Sequence, residues 1–99
     1  MVEKSLQERL DEVFGDHMAA ETAGDLESTL ATMAPNPHIV NVPTMIGGQG
    51  ADGVRSFYAN RLIGQFFPPD VEFETISRTY SEERLVDELI ISFTHTTRI

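Results

Sequence analysis

The stretch DVEFETISRTYSEERLVDELIISFTHTTRI, residues 70–99, decides the fold class. Two runs rich in β-branched and aromatic residues flank a polar break at Ser81-Glu82-Glu83-Arg84. This pattern predicts a hairpin that pairs Val71–Tyr80 with Leu85–Thr96. Val71, Phe73 and Thr75 share one face, whereas Ile76, Arg78 and Tyr80 carry the large groups on the other parity. A parity change inside a strand predicts a bulge or a strong bend. The last run, Leu85 to Ile99, contains Leu89-Ile90-Ile91 and so implies cover on both faces for part of its length.

Upstream of the hairpin the spacing turns helical. Val2, Leu6, Leu10, Val13, Phe14 and Met18 recur in steps of three and four, which predicts a helix from Val2 to about Gly24. The Leu6, Leu10, Val13 and Phe14 stripe is expected to face the core. Gly24 is placed to end that helix, and Asp25 to cap a second one carrying Leu26, Leu30, Met33 and Ala34. Pro35 and Pro37 stop it. His38-Ile39-Val40-Asn41-Val42 reads as a strand ended by Pro43, with Thr44-Met45-Ile46 as a second short strand. Gly47-Gly48-Gln49-Gly50 reads as a turn that needs positive φ. A third helix follows from about Ala51 to Ile63, closed by Gly64, before the rigid connector Phe66-Phe67-Pro68-Pro69. The fold expected is α+β, with helices packed on one face of a curved antiparallel sheet.

Composition limits the chemistry. The 99 residues fit one domain, and cysteine is absent, which removes disulfides, thiolate nucleophiles and thiolate metal sites. Seven Lys+Arg oppose sixteen Asp+Glu, a net charge of −9, so neither nucleic acid nor an anionic membrane is an expected partner. Residues 1–34 alone hold eight acids against Lys4 and Arg9, read as a solvated helix face. No apolar run approaches the roughly 20 residues that span a bilayer. The charged N-terminus is unlike a signal peptide, which leaves the cytoplasm as the default location.

Certain motifs stand in a familiar order. Gly24-Asp25-Leu26 follows the first helix, and Pro37-His38-Ile39-Val40-Asn41-Val42-Pro43 comes next. Then Gly47-Gly48-Gln49-Gly50-Ala51-Asp52-Gly53-Val54 leads to Phe57-Tyr58, and Val86-Asp87-Glu88 precedes Phe93-Thr94-His95. From about Leu6 onward the chain resembles the SnoaL-like branch of the nuclear transport factor 2-like, cystatin-related cone superfamily. The resemblance implies a cone of helices and sheet around an apolar pocket, and a small hydrophobic, often cyclic ligand. It implies no cofactor. Family members usually continue through two more long strands, so residues 1–99 are expected to be a single domain truncated at its C-terminus, present as a homodimer or as part of a longer chain. Two functions remain open: a binding or dimerisation module, and a cofactor-independent isomerase, cyclase or hydrolase using acid–base catalysis.

The candidate catalytic residues are Glu88 and His95, and the candidate ligand-binding residues are Tyr58, His38, His17 and Phe57. Asp87 and Glu88 are adjacent on a strand and point to opposite faces, so only one can face a pocket. Asp87 and His95 share parity but stand roughly 27 Å apart along a strand, so they form no dyad. His38 opens the first strand, and His17 lies on the stripe of the first helix. Tyr58 carries a hydroxyl suited to a ligand carbonyl. The three histidines lack metal-ligand spacing, and the glycine-rich segment lacks the Lys and Ser/Thr of a phosphate loop.

Overall fold

The computed structural model describes residues 5–63 and 68–95. Within them the order is α1 (Leu6–Thr22), α2 (Leu26–Ala31), β1 (His38–Asn41), β2 (Ile46–Gln49), α3 (Gly50–Phe57), a π turn (Tyr58–Leu62), β3 (Glu72–Tyr80) and β4 (Leu85–Ser92). The class is α+β. The expected start at Val2, the closing Gly64, Phe66-Phe67 and the chain from Thr96 to Ile99 lie outside the described residues.

Local chemistry sets the first half. The Ser5 hydroxyl accepts the Glu8 N–H at 3.1 Å and starts α1. At the other end Gly24 takes φ +71. Its N–H donates to the Glu21 carbonyl at 3.0 Å, and the Asp25 N–H donates to the Ala20 carbonyl at 2.9 Å. This is a Schellman closure, which reverses the chain in two residues. Asp25 at once caps α2, accepting from the Ser28 N–H at 3.1 Å. α2 ends at Ala31, before the expected Ala34, because Thr32 turns its hydroxyl onto the Thr29 carbonyl at 2.7 Å.

The glycine-rich segment departs in part from its sequence reading: Gly50 takes φ +73, but Gly47 to Gln49 are strand, and of the expected strand Thr44-Met45-Ile46 only Ile46 belongs to β2. The turn is Val42–Met45, with the Met45 N–H on the Val42 carbonyl at 3.1 Å, and Gly47 and Gly48 lie inside β2. β2 pairs antiparallel with β1 from His38↔Gln49 to Asn41↔Ile46. The glycines are there for close approach. A Cβ on Gly47 would stand 2.0 Å from the Ile39 carbonyl oxygen, and one on Gly48 2.2 Å from the Gly53 carbonyl oxygen. β2 is thereby pressed against both β1 and α3.

The core is centred on α3. Val54, Phe57, Tyr58 and Leu62 are buried, with Leu26, Leu30, Met33, Ile39, Ile46 and Ile63 packed against them. This corrects the expectation for the α1 stripe: Leu6 is 42% and Val13 51% exposed, and Leu10 and Phe14 are only half-buried. Periodicity identifies a face but not its depth. Here the face meets the β3–β4 hairpin, which covers it partly. The third helix keeps its expected direction but opens into a π turn, with the Ile63 N–H bonded to the Tyr58 carbonyl at 2.9 Å.

The hairpin forms where the alternation placed it, except that β4 stops at Ser92 and does not run on through His95. β3 and β4 pair antiparallel from Glu72↔Ser92 to Tyr80↔Leu85, with a register shift between Thr75 and Ser77. Ile76, the residue at the change of parity, is left in that shift and exposed. The Ser81 hydroxyl accepts the Glu83 and Arg84 N–H groups and closes the turn. In place of one curved sheet there are two separate two-stranded sheets among the described residues. A polar clamp fastens the second of them to α1. Arg78 donates from Nε to Asp87 at 2.9 Å and from Nη1 to Asp11 at 3.1 Å. Its guanidinium lies 4.8 Å from the centre of the Phe14 ring. Tyr80 donates its hydroxyl to Asp11, and Thr75 bonds Asp87 at 3.1 Å.

Candidate functional site

His17 and Glu21 are four residues apart, so they rise from the same face of α1. The α1–α2 reversal brings Thr32 back beside His17, and α3 delivers Tyr58 from the opposite side. Tyr58 is 1% exposed, and its hydroxyl donates to Glu21 Oε1 at 2.6 Å. His17 Nε2 faces the same Glu21 oxygen at 3.1 Å and the Tyr58 hydroxyl oxygen at 3.3 Å. His17 Nδ1 meets Thr32 Oγ1 at 2.7 Å. Thr32 has already given its one proton to the Thr29 carbonyl, so it accepts here, and His17 Nδ1 is the donor. His17 Nε2 thus stands within hydrogen-bond reach of both the Glu21 carboxylate and the Tyr58 hydroxyl.

Among the described residues no buried side-chain nitrogen or oxygen lacks a partner. Glu21 itself is buried. A buried carboxylate costs several kcal/mol unless it is hydrogen-bonded, and the Tyr58 hydroxyl on Oε1, with His17 Nε2 beside it, supplies that. The same geometry pushes the Tyr58 phenol well above its ordinary range. Burial is the main cause, followed by the negative charge of Glu21 and the hydrogen bond to it. The Tyr80 phenol is also raised, chiefly by its hydrogen bond to Asp11.

These shifts set an alkaline limit. Below about pH 10 both tyrosines are protonated in the folded and the unfolded chain, and their contribution is complete. Above it the unfolded chain releases its phenolic protons first, so stability falls as pH rises. The urea midpoint of the wild type is expected to drop between about pH 9 and about pH 11. Tyr58→Phe should drop less over that interval; an equal drop would mean that Tyr58 titrates as an exposed tyrosine.

The cluster stands between two concavities. One, of about 460 Å³, is lined by His17, Tyr58, His38, Met33, Pro37 and Ile39 among others. The other, of about 400 Å³, lies between β1 and the end of β4 and is lined by Glu21, Ile39, Val42, Phe57, Leu62 and Ile91 among others. Its walls are mainly apolar. Ile39 borders both.

Of the sequence-based candidates, His17, His38 and Tyr58 line the first concavity and Phe57 lines the second. Glu88 and His95 are not among them. Glu88 is exposed on β4 opposite Ser77, and His95 is exposed past the end of β4, edge-on to Phe93 at 6.5 Å between ring centres. The inward carboxylate of that pair is Asp87, whose side chain is 4% exposed and spent on Arg78 and Thr75. Tyr58 also differs from its sequence reading, since its hydroxyl proton is held by Glu21 rather than offered to a ligand carbonyl. Glu21 is not a candidate on sequence grounds. The one signal for it is its spacing from His17 on the apolar stripe of α1.

No group of side chains among the described residues is arranged to hold a metal ion, and no helix there is long and apolar enough to cross a membrane. No family model, no curated protein and no solved structure matches the chain.

Proposed function

We propose that this chain is a SnoaL-like pocket domain of the nuclear transport factor 2-like type, a binding or dimerisation module that takes a small hydrophobic ligand. One observation carries the reading: a buried carboxylate, Glu21, is held by Tyr58 and His17 at the wall of an apolar cleft. The cleft of about 400 Å³ accommodates a bicyclic ring system, and its size lies within the usual range of ligand sites. No cofactor enters this reading. Methyl-labelled isoleucine resonances test it in a titration with 2-naphthol. Ile39 and Ile91 line the cleft, whereas Ile76 is exposed at the β3 bulge. Shifts at Ile39 and Ile91 with Ile76 unmoved are expected. No shifts, or equal shifts at all three, would sink the reading.

The dimerisation part rests on exposed apolar side chains. Val40 and Val42 line the same cleft, Met45 stands in the turn after them, and Ile76, Val86 and Ile90 stand on the β3–β4 hairpin. Light scattering after size exclusion should give twice the 11.0 kDa chain mass. A monomer at every concentration would remove it.

The acid–base reading has its own support. Tyr58, His17 and Glu21 exchange hydrogen bonds within 3.3 Å, so a proton lost or gained at the carboxylate has a place to go. Accelerated deuterium exchange next to the carbonyl of a cyclic ketone, abolished in Glu21→Gln, would favour an isomerase, cyclase or hydrolase over a binding module.

A further inference from the structure

The two oxygens of Glu21 are used unequally. Tyr58 and His17 both bond Oε1. Among the described residues Oε2 has no partner, yet no buried side-chain oxygen there is left unpaired. Oε2 is therefore reachable, and Glu21 borders the cleft between β1 and β4. This oxygen is an acceptor only. Beside it, the Tyr58 hydroxyl has its proton on Oε1 at 2.6 Å, and His17 Nδ1 has its own on Thr32. Among the described residues the one other polar side chain lining the cleft, Asn41, both donates and accepts, so it does not discriminate.

We propose that this cleft selects apolar ligands bearing a hydroxyl proton over isosteric ligands that can only accept a hydrogen bond. The inference rests on the pocket reading above and names its ligand class: a phenol, enol or ring alcohol, in preference to an ether or ketone. The physical basis is the difference between the two pairings. A hydroxyl facing Oε2 gains a charge-assisted hydrogen bond in an apolar setting. An ether or carbonyl oxygen at the same place meets lone pairs with lone pairs and leaves the carboxylate stripped of water without replacement.

The test compares 2-naphthol with 2-methoxynaphthalene on the wild-type chain and on Glu21→Gln, by fluorescence titration, with circular dichroism to check that the variant is folded. 2-Naphthol is expected to bind the wild type at least about tenfold tighter than the ether. In Glu21→Gln, whose amide both donates and accepts, that preference should shrink to within about threefold. Equal wild-type affinities for the two compounds would overturn the inference and leave the pocket reading standing. Binding of neither would overturn both. The wild-type comparison decides the matter even if the variant does not fold.

Discussion

Gly48→Ala is expected to cost about 3 kcal/mol or more and to separate β2 from α3. The added Cβ would sit 2.2 Å from the Gly53 carbonyl oxygen and 2.4 Å from its carbon. Both are backbone atoms, so no flexible side chain can swing away. Gly53 lies in the first half of α3, whose later residues Val54 and Phe57 form the core together with Tyr58. Moving that helix disturbs the core and withdraws Tyr58 from Glu21. Gly15→Ala is the control with the opposite sign. Gly15 is inside α1, and a methyl group added there would meet nothing within 4 Å, so alanine should stabilise the helix by up to about 1 kcal/mol. Urea midpoints of the two variants should move in opposite directions. A neutral Gly48→Ala would mean that β2 and α3 are not in contact as described.

Arg78→Ala is the second large effect, with an expected loss of about 3 kcal/mol. Its guanidinium joins β3 to β4 through Asp87 and the hairpin to α1 through Asp11. Without it the Asp87 carboxylate, 4% exposed, keeps only Thr75 as a side-chain donor among the described residues. Leaving a buried charge unpaired costs more than the pair itself was worth. Arg78 is partly exposed, which places the cost at the low end of the range for buried pairs. The double variant Arg78→Met with Asp87→Leu should recover much of the loss, because it removes both charges and keeps the volume. If Arg78→Ala alone leaves the urea midpoint unchanged, the clamp does not hold the hairpin.

The legible parts of the fold are those that neighbours in sequence decide. Gly24 and Asp25 announce the α1–α2 reversal because a Schellman closure and an N-cap involve residues at most five apart. The β3–β4 hairpin, its polar turn and the irregularity at Ile76 follow from alternation and its break. The parts that escape depend on what packs from a distance. Gly47 and Gly48 suit a turn equally well until the Ile39 and Gly53 carbonyls are placed beside them. The stripe on α1 gives a direction but cannot tell that a narrow two-stranded sheet, rather than a broad one, lies against it. At the site, His17, His38 and Tyr58 stand out as uncommon residue types in this chain, and Phe57 by its place beside Tyr58. Glu21 does not, because it is one of eight acids in the first 34 residues. What distinguishes it is the approach of Tyr58, which lies 37 positions later in the chain.

The central claim is that Tyr58 holds Glu21 as a buried acceptor, and a double-mutant cycle tests it most directly. Tyr58→Phe removes the donor, Glu21→Leu removes the carboxylate, and the double variant removes both. Tyr58→Phe leaves Glu21 with only His17 among the described residues, and Glu21→Leu strands the Tyr58 hydroxyl, whereas the double change removes both members of the pair; His17 loses Glu21 in both leucine variants, so that cost cancels in the cycle. The double variant should therefore be more stable than the sum of the singles implies, by about 1.5–3 kcal/mol in urea unfolding. Additivity to within about 0.5 kcal/mol would contradict the account, because two side chains that do not meet behave in that way.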